Sequence, residues 1–117
     1  MKTLFIFNGA AYGDERTYNG LRLAGVLAKR NSNEVRAFLM GDAVTSAKAG
    51  QKVPEGYYNL QIMLTRVARE VNGAVGVCGT CMDARGIQTD ELIDGALRGT
   101  LEQLADWSEW AEQVFVF

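Results

Sequence analysis

The chain has 117 residues, a formal net charge of −2 and no histidine, and we expect it to fold as a single domain over residues 1–117. Without histidine it cannot be one of the serine or cysteine hydrolases that use histidine as general base, and it lacks the ligands of HExxH metal sites. Its basic residues are scattered and its apolar runs are short, which argues against nucleic acid and membrane as partners and indicates a soluble, cytoplasmic protein.

The beginning of the chain predicts a strand, a loop and an apolar helix. Residues 3–7 form a hydrophobic run that suits a central strand buried on both faces. The loop from Asn8 to Gly13 lacks the GxGxxG spacing and the Walker lysine, so we interpret it as a strand-to-helix turn. Asp14 is the expected N-cap of a helix from Glu15 to about Arg30, which ends on two basic residues. This helix is apolar or small over more than one stripe, which indicates that neighbouring elements or another subunit cover it.

A second strand and the clearest helix pattern follow. Glu34 to Met40 predicts the strand, which Gly41 and Asp42 terminate. For residues 43–56 we expect a short helical turn and a mobile loop. Between Tyr57 and Asn72, apolar residues recur at i, i+3, i+4, i+7, i+8 and i+11, which predicts an amphipathic helix.

The last elements begin with a short buried strand at residues 74–77. Beyond it we expect one helical turn at residues 89–92, a weak fourth strand at 93–97, a helix from Thr100 to about Ala111 and a fifth strand at 114–117. Thr100 and Gln103 have the spacing of a capping box at the start of that helix. Two tryptophans lie three residues apart on it, a spacing that puts them on one face, in the core or at a subunit interface.

Strands that alternate with helices predict βαβ units with right-handed crossovers. The expected fold is therefore α/β, a three-layer α/β/α domain with a five-stranded, mainly parallel sheet of flavodoxin-like type. The loops after the first three strands would emerge at one edge of this sheet, where ligands bind in such folds. Six residues of these loops are candidates for substrate binding: Asn8, Gly9, Tyr12, Asp42, Gly79 and Thr80.

Both cysteines lie in the glycine-rich segment after the third strand, and we expect Cys78 at the end of that strand. Two cysteines are too few for a disulfide scaffold, and a reducing compartment keeps them as thiols. The backbone amides after Cys78 and the positive charge of Arg85 would lower the pKa of its thiol, while Asp83 would oppose that shift. The catalytic candidates are Cys78, Cys81 and Arg85.

Other roles for the two cysteines remain open from the residues alone. A buried thiol is commonly structural. The CxxC spacing is also found in thioredoxin-like dithiols, but no proline follows Pro54 to supply that site's cis-proline, and no long helix is predicted after the motif. Cysteine pairs that meet across an oligomer, or that are joined by carboxylates, could hold a metal ion.

Segments throughout the chain resemble the DsrE/DsrF family. They are residues 8–13, Phe38 to Val44, 50–52, Cys78 to Ile87, and 92–95 together with the closing Val-Phe-Val-Phe. The resemblance implies a five-stranded parallel sheet, a homohexamer, and sulfane sulfur carried as a persulfide on one cysteine. The reactive cysteine of the family falls on Cys78, whereas Cys81 corresponds to a second cysteine that sulfur-relay members generally lack.

The leading functional hypothesis is a sulfurtransferase-like sulfur carrier that uses no cofactor. The Cys78 thiolate would take sulfur from a donor protein, backbone amides and Arg85 would stabilise the persulfide, and the thiol of an acceptor protein would collect the sulfur. A CxxC redox or redox-sensing dithiol is one alternative. A non-catalytic hexameric scaffold is the other.

Overall fold

The computed structural model describes residues 1–70 and 74–117, so the predicted end of the second helix at Val71 and Asn72 lies outside the described residues. The strands within these ranges are β1 (Lys2–Phe7), β2 (Glu34–Leu39), β3 (Ala74–Cys78), β4 (Ala96–Gly99) and β5 (Gln113–Val116). The α-helices are α1 (Arg16–Ala28), α2 (Leu60–Arg69), α3 (Gly79–Ala84) and α4 (Leu101–Trp110). Short 3₁₀ helices span Gly41–Ala47 and Thr89–Glu91. In these described ranges, none of the helices has the length and apolar character needed to cross a membrane.

All five strands run parallel in one sheet, in the order β4-β3-β2-β1-β5. The predicted five-stranded parallel α/β fold is therefore confirmed. The chain steps across the sheet in one direction from β1 to β4, so right-handed crossovers place α1 and α2 on the same face. The return from β4 to β5 places α4 on the opposite face. This order differs from the 2-1-3-4-5 order of flavodoxin. Here the path of the chain across the sheet changes direction after β4, whereas in flavodoxin it changes direction after the second strand.

The two faces of the sheet are packed by different helices. Phe7 and Phe38 point to opposite faces, because Phe38 aligns with the residue before Phe7 in the register of β1 and β2. On the first face, α1 approaches so closely that a Cβ atom at Gly20 would lie 2.4 Å from Cε1 of Phe7. On the second face, the ring of Trp107 meets the ring of Phe38 edge to face, with centroids 5.9 Å apart. The result is the expected three-layer arrangement.

The two tryptophans of α4 do lie on one face of the helix, as the spacing predicts. The guanidinium carbon of Arg36 lies 3.8 Å from the ring centroid of Trp110 and 5.3 Å from that of Trp107. The sheet directs the side chain of Arg36 toward α4, and these cation–π contacts cover its charged end. Half of the predicted capping box is confirmed, since the hydroxyl of the N-cap residue Thr100 accepts a hydrogen bond from the backbone N–H of Gln103 at 3.1 Å. The other half does not form, because Oε1 of Gln103 has no hydrogen-bond partner among the described residues.

The predicted capping of α1 is wrong. The helix begins at Arg16 and no side chain caps it. The Asp14 carboxylate accepts the backbone N–H of Arg16 at 2.8 Å and forms an ion pair with the guanidinium of the same residue at 2.7 Å. Because this local pairing occupies the carboxylate, it does not reach the later amides of the first turn. The helix ends at Ala28, so Lys29 and Arg30 lie beyond its last turn.

The predicted periodicity of α2 is confirmed, while its start is later than expected. Leu60, Leu64 and Val67 are fully buried, as the i, i+4, i+7 spacing requires. The helix begins at Leu60 and not near Tyr57, because the side chain of Asn59 caps it by accepting the N–H of the third helical residue at 3.2 Å.

β4 begins three residues later than predicted. Residues 93–95 belong to a connection, since the N–H of Ile93 donates to the carbonyl of Ala47 at 2.8 Å. The same connection is held by a hydrogen bond from Ala49 to the carbonyl of Glu91, also at 2.8 Å. These contacts tie the first 3₁₀ helix to the second, and the strand starts only after Gly95 turns with a φ of 87°.

Substituting glycines of α1 should separate close packing from helix propensity. We expect Gly20→Ala to lower the free energy of unfolding by about 1–3 kcal/mol, because the new methyl group would clash with two packed aromatic rings. Gly25 lies on the same helix with nothing within 4 Å of the Cβ position, so Gly25→Ala should raise the free energy of unfolding by up to about 1 kcal/mol. Urea unfolding followed by circular dichroism measures both. A stabilising Gly20→Ala would contradict the packing described here.

The outer surface of this fold indicates self-association. Leu97, Leu101 and Val116 are each about two-thirds exposed, at 66%, 67% and 65%, and Val26 on α1 is 53% exposed. We expect a homohexamer, which light scattering on a size-exclusion column would detect as six times the monomer mass. A monomer at micromolar concentration would contradict this expectation. Val116→Asp and Val26→Asp each place a charge on a different face of the fold. Only the variant whose charge lies at a subunit interface should have a lower mass in solution than the wild type.

Candidate active site

Cys78 is the last residue of β3 and lies on the α4 face of the sheet. Its position follows from the register, because Gly76 aligns with Phe38 and the side chains of a strand alternate. The residue is 8% exposed, and Cys81 is half-buried. The expectation that Cys78 ends the third strand at the carboxyl edge of the sheet is therefore confirmed.

The segment after Cys78 is a short helix and not the glycine-rich turn that we expected. α3 has six residues and places Cys81 in its first turn. It ends at a Schellman motif, in which Gly86 has a φ of 65° and the N–H of Ile87 donates to the carbonyl of Met82 at 3.0 Å. Met82 is fully buried and anchors the helix to the core. The sequence contains this stop signal, but the local composition does not reveal that a helix precedes it.

Hydrogen-bond donors of α3 converge on the sulfur of Cys78. The sulfur lies 3.3 Å from the hydroxyl oxygen of Thr80. Burial raises the pKa of the Cys78 thiol, but hydrogen bonds from the Cys81 thiol, the Thr80 hydroxyl and the backbone amides of both residues together hold it below its usual value. Of the two thiols, Cys78 is the one whose pKa is lowered.

Cys81 has the opposite character. Burial raises the pKa of its thiol, and the hydrogen bond that it donates to Cys78 raises it further. A backbone N–H from Gly41 and the charge of Arg85 act weakly in the other direction. Cys81 therefore ionises at a higher pH than Cys78, so the two thiols are chemically different.

The structure places Arg85 on the Cys81 side of the site. Its guanidinium donates to Oδ1 of Asp42 at 2.8 and 3.0 Å and to the carbonyl oxygen of Cys81 at 3.0 Å. These contacts join the loop after β2 to α3. Arg85 and Asp42, two of the residues that we expected in the site, therefore form an ion pair with each other and brace α3.

Arg98 is the arginine beside Cys78, and the sequence analysis missed it. Its guanidinium donates to both carboxylate oxygens of Asp83 at 2.8 and 2.9 Å and lies over Gly79. The sequence gives only a weak signal that Arg98 belongs to the site, because 20 residues separate it from Cys78. Arg98 comes near only because the next residue, Gly99, pairs with Cys78 in the sheet. The negative charge that we expected from Asp83 is neutralised by this ion pair, and hydrogen bonding from Arg98 lowers the pKa of the Asp83 carboxyl.

A concavity of about 490 Å³ opens beside Cys78 at the first turn of α4. Its lining includes Met40, Cys78, Thr80, Cys81, Arg98 and Leu101. Gly79 also borders it, so two of the predicted substrate-binding residues, Gly79 and Thr80, lie together with the cysteines. Among residues 1–70 and 74–117, no group of three cysteine, aspartate or glutamate side chains is arranged to hold a metal ion.

The first loop supplies structural contacts in the described part of the chain, and its residues do not line this concavity. The backbone N–H of Asn8 donates to the carbonyl of Phe117 at 2.7 Å, and the carbonyl of Gly9 accepts the hydroxyl of Thr17 at 2.7 Å. The hydroxyl of Tyr12 donates to an amide side chain of the next loop at 2.6 Å and accepts the first N–H of α2 at 3.1 Å. Asn8, Gly9 and Tyr12 thus hold neighbouring loops together.

The difference between the two thiols predicts their alkylation. Iodoacetamide should modify Cys78 faster than Cys81 near neutral pH, because only a thiolate reacts and the pKa of Cys78 is the lower one. Thr80→Val removes one donor and should move the pH–rate profile of Cys78 upward by about one pH unit. Peptide mapping of the adducts against pH measures both effects.

Thr65→Val is the matched control, because the hydroxyl of Thr65 bonds within α2 to the carbonyl of Gln61 and is remote from Cys78. It should leave the profile unchanged. Slow labelling of both cysteines with the pH profile of an ordinary thiol would assign both of them structural roles.

Comparison with known proteins places the chain in a family. The model of the DsrE/DsrF-like family matches residues 1–117. Protein YchN of Escherichia coli (strain K12) is 48% identical over 117 residues, an alignment that covers 99% of this chain and 98% of that protein. The uncharacterized protein MJ0989 of Methanocaldococcus jannaschii is 34% identical, and the alignment covers all of both chains.

Solved structures agree with this comparison. The crystal structure of the E. coli ychN protein superposes with a TM-score of 0.92 at 47% identity, covering 99% of this chain and 98% of that chain. A protein of unknown function from Methanobacterium thermoautotrophicum, MTH1491, shares the fold with a TM-score of 0.70 at 12% identity, covering 97% of each chain. The match over the whole length and the identity to YchN show that this chain belongs to the DsrE/DsrF-like family.

Proposed function

We propose that this protein carries sulfane sulfur as a persulfide on Cys78 and passes it to the thiol of a partner protein. The family is associated with sulfur relay. The observation that carries the proposal is the position of Cys78, which lines an open concavity with its sulfur 3.3 Å from the Thr80 hydroxyl. These surroundings hold its pKa below the usual value, while the pKa of Cys81 is raised. A buried structural cysteine in apolar surroundings would have a raised pKa instead.

Loading begins when the Cys78 thiolate attacks the terminal sulfur of a persulfide donor. A new S–S bond forms to Cys78, the S–S bond of the donor breaks, and its electron pair leaves with the donor's thiolate. The donors that now hold the Cys78 thiolate, the Thr80 hydroxyl and the amides of α3, lie where the persulfide anion would form.

In the unloading step, the outer sulfur leaves Cys78 for an acceptor protein. The thiolate of an acceptor protein attacks the outer sulfur of the persulfide, and the electron pair of the broken S–S bond returns to Cys78. Because thiolates and sulfane sulfur exchange in both steps, the cycle needs no external oxidant, reductant or cofactor. We infer that the donor and acceptor reach Cys78 through the concavity, in a reducing cytoplasmic compartment that keeps both cysteines reduced.

A dithiol redox protein is the second candidate, and the position of Cys81 in the first turn of the helix that follows Cys78 favours it. An oxidant that accepted two electrons and two protons would join Cys78 and Cys81 in a disulfide. In that function both cysteines are required, whereas a persulfide carrier requires only one nucleophile.

Mass spectrometry of the intact protein separates these functions. After exposure to polysulfide or to a persulfidated sulfurtransferase, the wild type should gain one sulfur atom that dithiothreitol removes. Cys78→Ser should gain none, and Cys81→Ser should keep the gain because persulfide formation needs no second cysteine.

Other outcomes identify the alternatives. Loss of two hydrogens in the wild type, abolished by either substitution, would indicate the dithiol redox function. A protein that shows neither change would be a scaffold. Sulfur uptake that persists in Cys78→Ser would overturn the assignment of the reactive residue.

A further inference from the structure

Arg98 is a positive charge beside Cys78 for which the transfer steps above have no role. Its side chain is 43% exposed and lines the same concavity as the Cys78 sulfur. It stands one residue before Gly99, which pairs with Cys78 across β3 and β4. The guanidinium is thus attached to the edge strand β4 and is joined to α3 through Asp83.

The position of the guanidinium depends on a glycine and a carboxylate. A methyl group at Gly79 would lie 2.7 Å from Nε, 2.8 Å from Cζ and 2.9 Å from Nη2 of Arg98, so the absent side chain leaves the space that the guanidinium occupies. Asp83 holds two of its five N–H groups from the other side. Among the described residues, the other N–H groups of the guanidinium have no hydrogen-bond partner and could meet an anion in the concavity.

Most of the other charges near this opening are balanced in ion pairs, and Glu102 is the exception. Asp42 and Arg85 neutralise each other on the Cys81 side, and Asp83 is paired with Arg98. Glu102 lines the concavity and opposes anion binding there. The charge of the Cys78 thiolate reaches Arg98, whose pKa is raised by its hydrogen bond to Asp83 and further by this thiolate. Arg98 is therefore close enough to act on an anion that approaches Cys78.

We propose that Arg98 binds the anionic end of a small sulfane-sulfur donor of the thiosulfate type and holds its sulfane sulfur against Cys78. This inference rests on the proposed function. The guanidinium matches an oxyanion because it offers parallel N–H groups, and a concavity of about 490 Å³ has room for a small donor.

The transfer from such a donor is balanced. The Cys78 thiolate attacks the sulfane sulfur of thiosulfate, and an S–S bond forms between them. The S–S bond of thiosulfate breaks, and its electron pair leaves with sulfite. Arg98 would contact the sulfonate oxygens, on which the leaving negative charge develops.

Two alkylating agents of the same size test the anion site without any sulfur transfer. Iodoacetate is anionic and iodoacetamide is neutral, so the ratio of their rate constants at Cys78 measures the local preference for an anion. At a pH above the pKa of Cys78, R98Q should lower this ratio about fivefold, the size of effect expected for one partly exposed charge pair. R98K should restore part of it, and rising salt should reduce the wild-type preference.

Further variants separate binding by Arg98 from indirect effects. G79A should displace the guanidinium and lower the ratio while Arg98 is still present. R98Q leaves the Asp83 carboxylate unpaired, so the double variant R98Q/D83N must still show a lowered ratio if Arg98 itself binds the anion. R16Q removes a similar charge from the remote ion pair with Asp14 and should leave the ratio unchanged.

The sulfur donor is tested in the same variants by intact mass. R98Q should need about fivefold more thiosulfate for half-maximal sulfur uptake, but should load normally from a persulfidated sulfurtransferase. An unchanged alkylation ratio in R98Q, or full recovery in R98Q/D83N, would overturn the role of Arg98. A lowered ratio in R98Q, together with a wild type that takes up sulfur from neither donor, would support the anion site and overturn the proposed function. Equal thiosulfate uptake by R98Q and wild type would overturn the assignment of the donor.

Discussion

The convergence of hydrogen-bond donors on the sulfur of Cys78 is the interaction on which the chemistry of this protein depends. Burial acts against charge on this sulfur, and without compensation it would leave an unreactive thiol. The compensating donors all come from the first turn of one short helix: the hydroxyl of Thr80, the thiol of Cys81 and the backbone amides of both. The lowered pKa of Cys78 is therefore a consequence of where α3 begins.

Several features of the fold determine where α3 begins. Cys78 ends an interior strand that lies between β4 and β2, and α3 begins at the next residue. Met82 anchors the helix to the core, and the turn at Gly86 stops it after six residues. On the other side, Gly99 permits close packing of α4, because a Cβ atom there would lie 2.3 Å from Oε1 of Gln103. The start of α4 is thereby brought beside Cys78 and forms one wall of the concavity.

Two arginine–carboxylate pairs flank this site and have different consequences. Such partly exposed ion pairs add little to folding stability, so their importance lies in the electrostatic field at the site. Arg85 and Asp42 join α3 to the loop after β2 and lie on the side of Cys81. Arg98 and Asp83 join α3 to β4 and place a positive charge on the side of the thiolate. Each pair thus fastens α3 to a different neighbour.

The amino-acid sequence by itself determined the alternation of strands and helices, the parallel sheet and the place of Cys78, because hydrophobic period and strand-ending residues are local properties of the chain. Its local signals did not determine the start of α1, where the pairing of Asp14 with Arg16 competes with capping. Nor did they show that β4 begins only at Ala96, which depends on a hydrogen bond between Ile93 and a distant carbonyl. The tertiary structure alone decided which arginine lies beside the thiolate. Arg85 is near Cys78 along the chain but turns to Asp42. Arg98 is distant along the chain and pairs with Val77 in the sheet, but its guanidinium reaches over Gly79, the residue after Cys78.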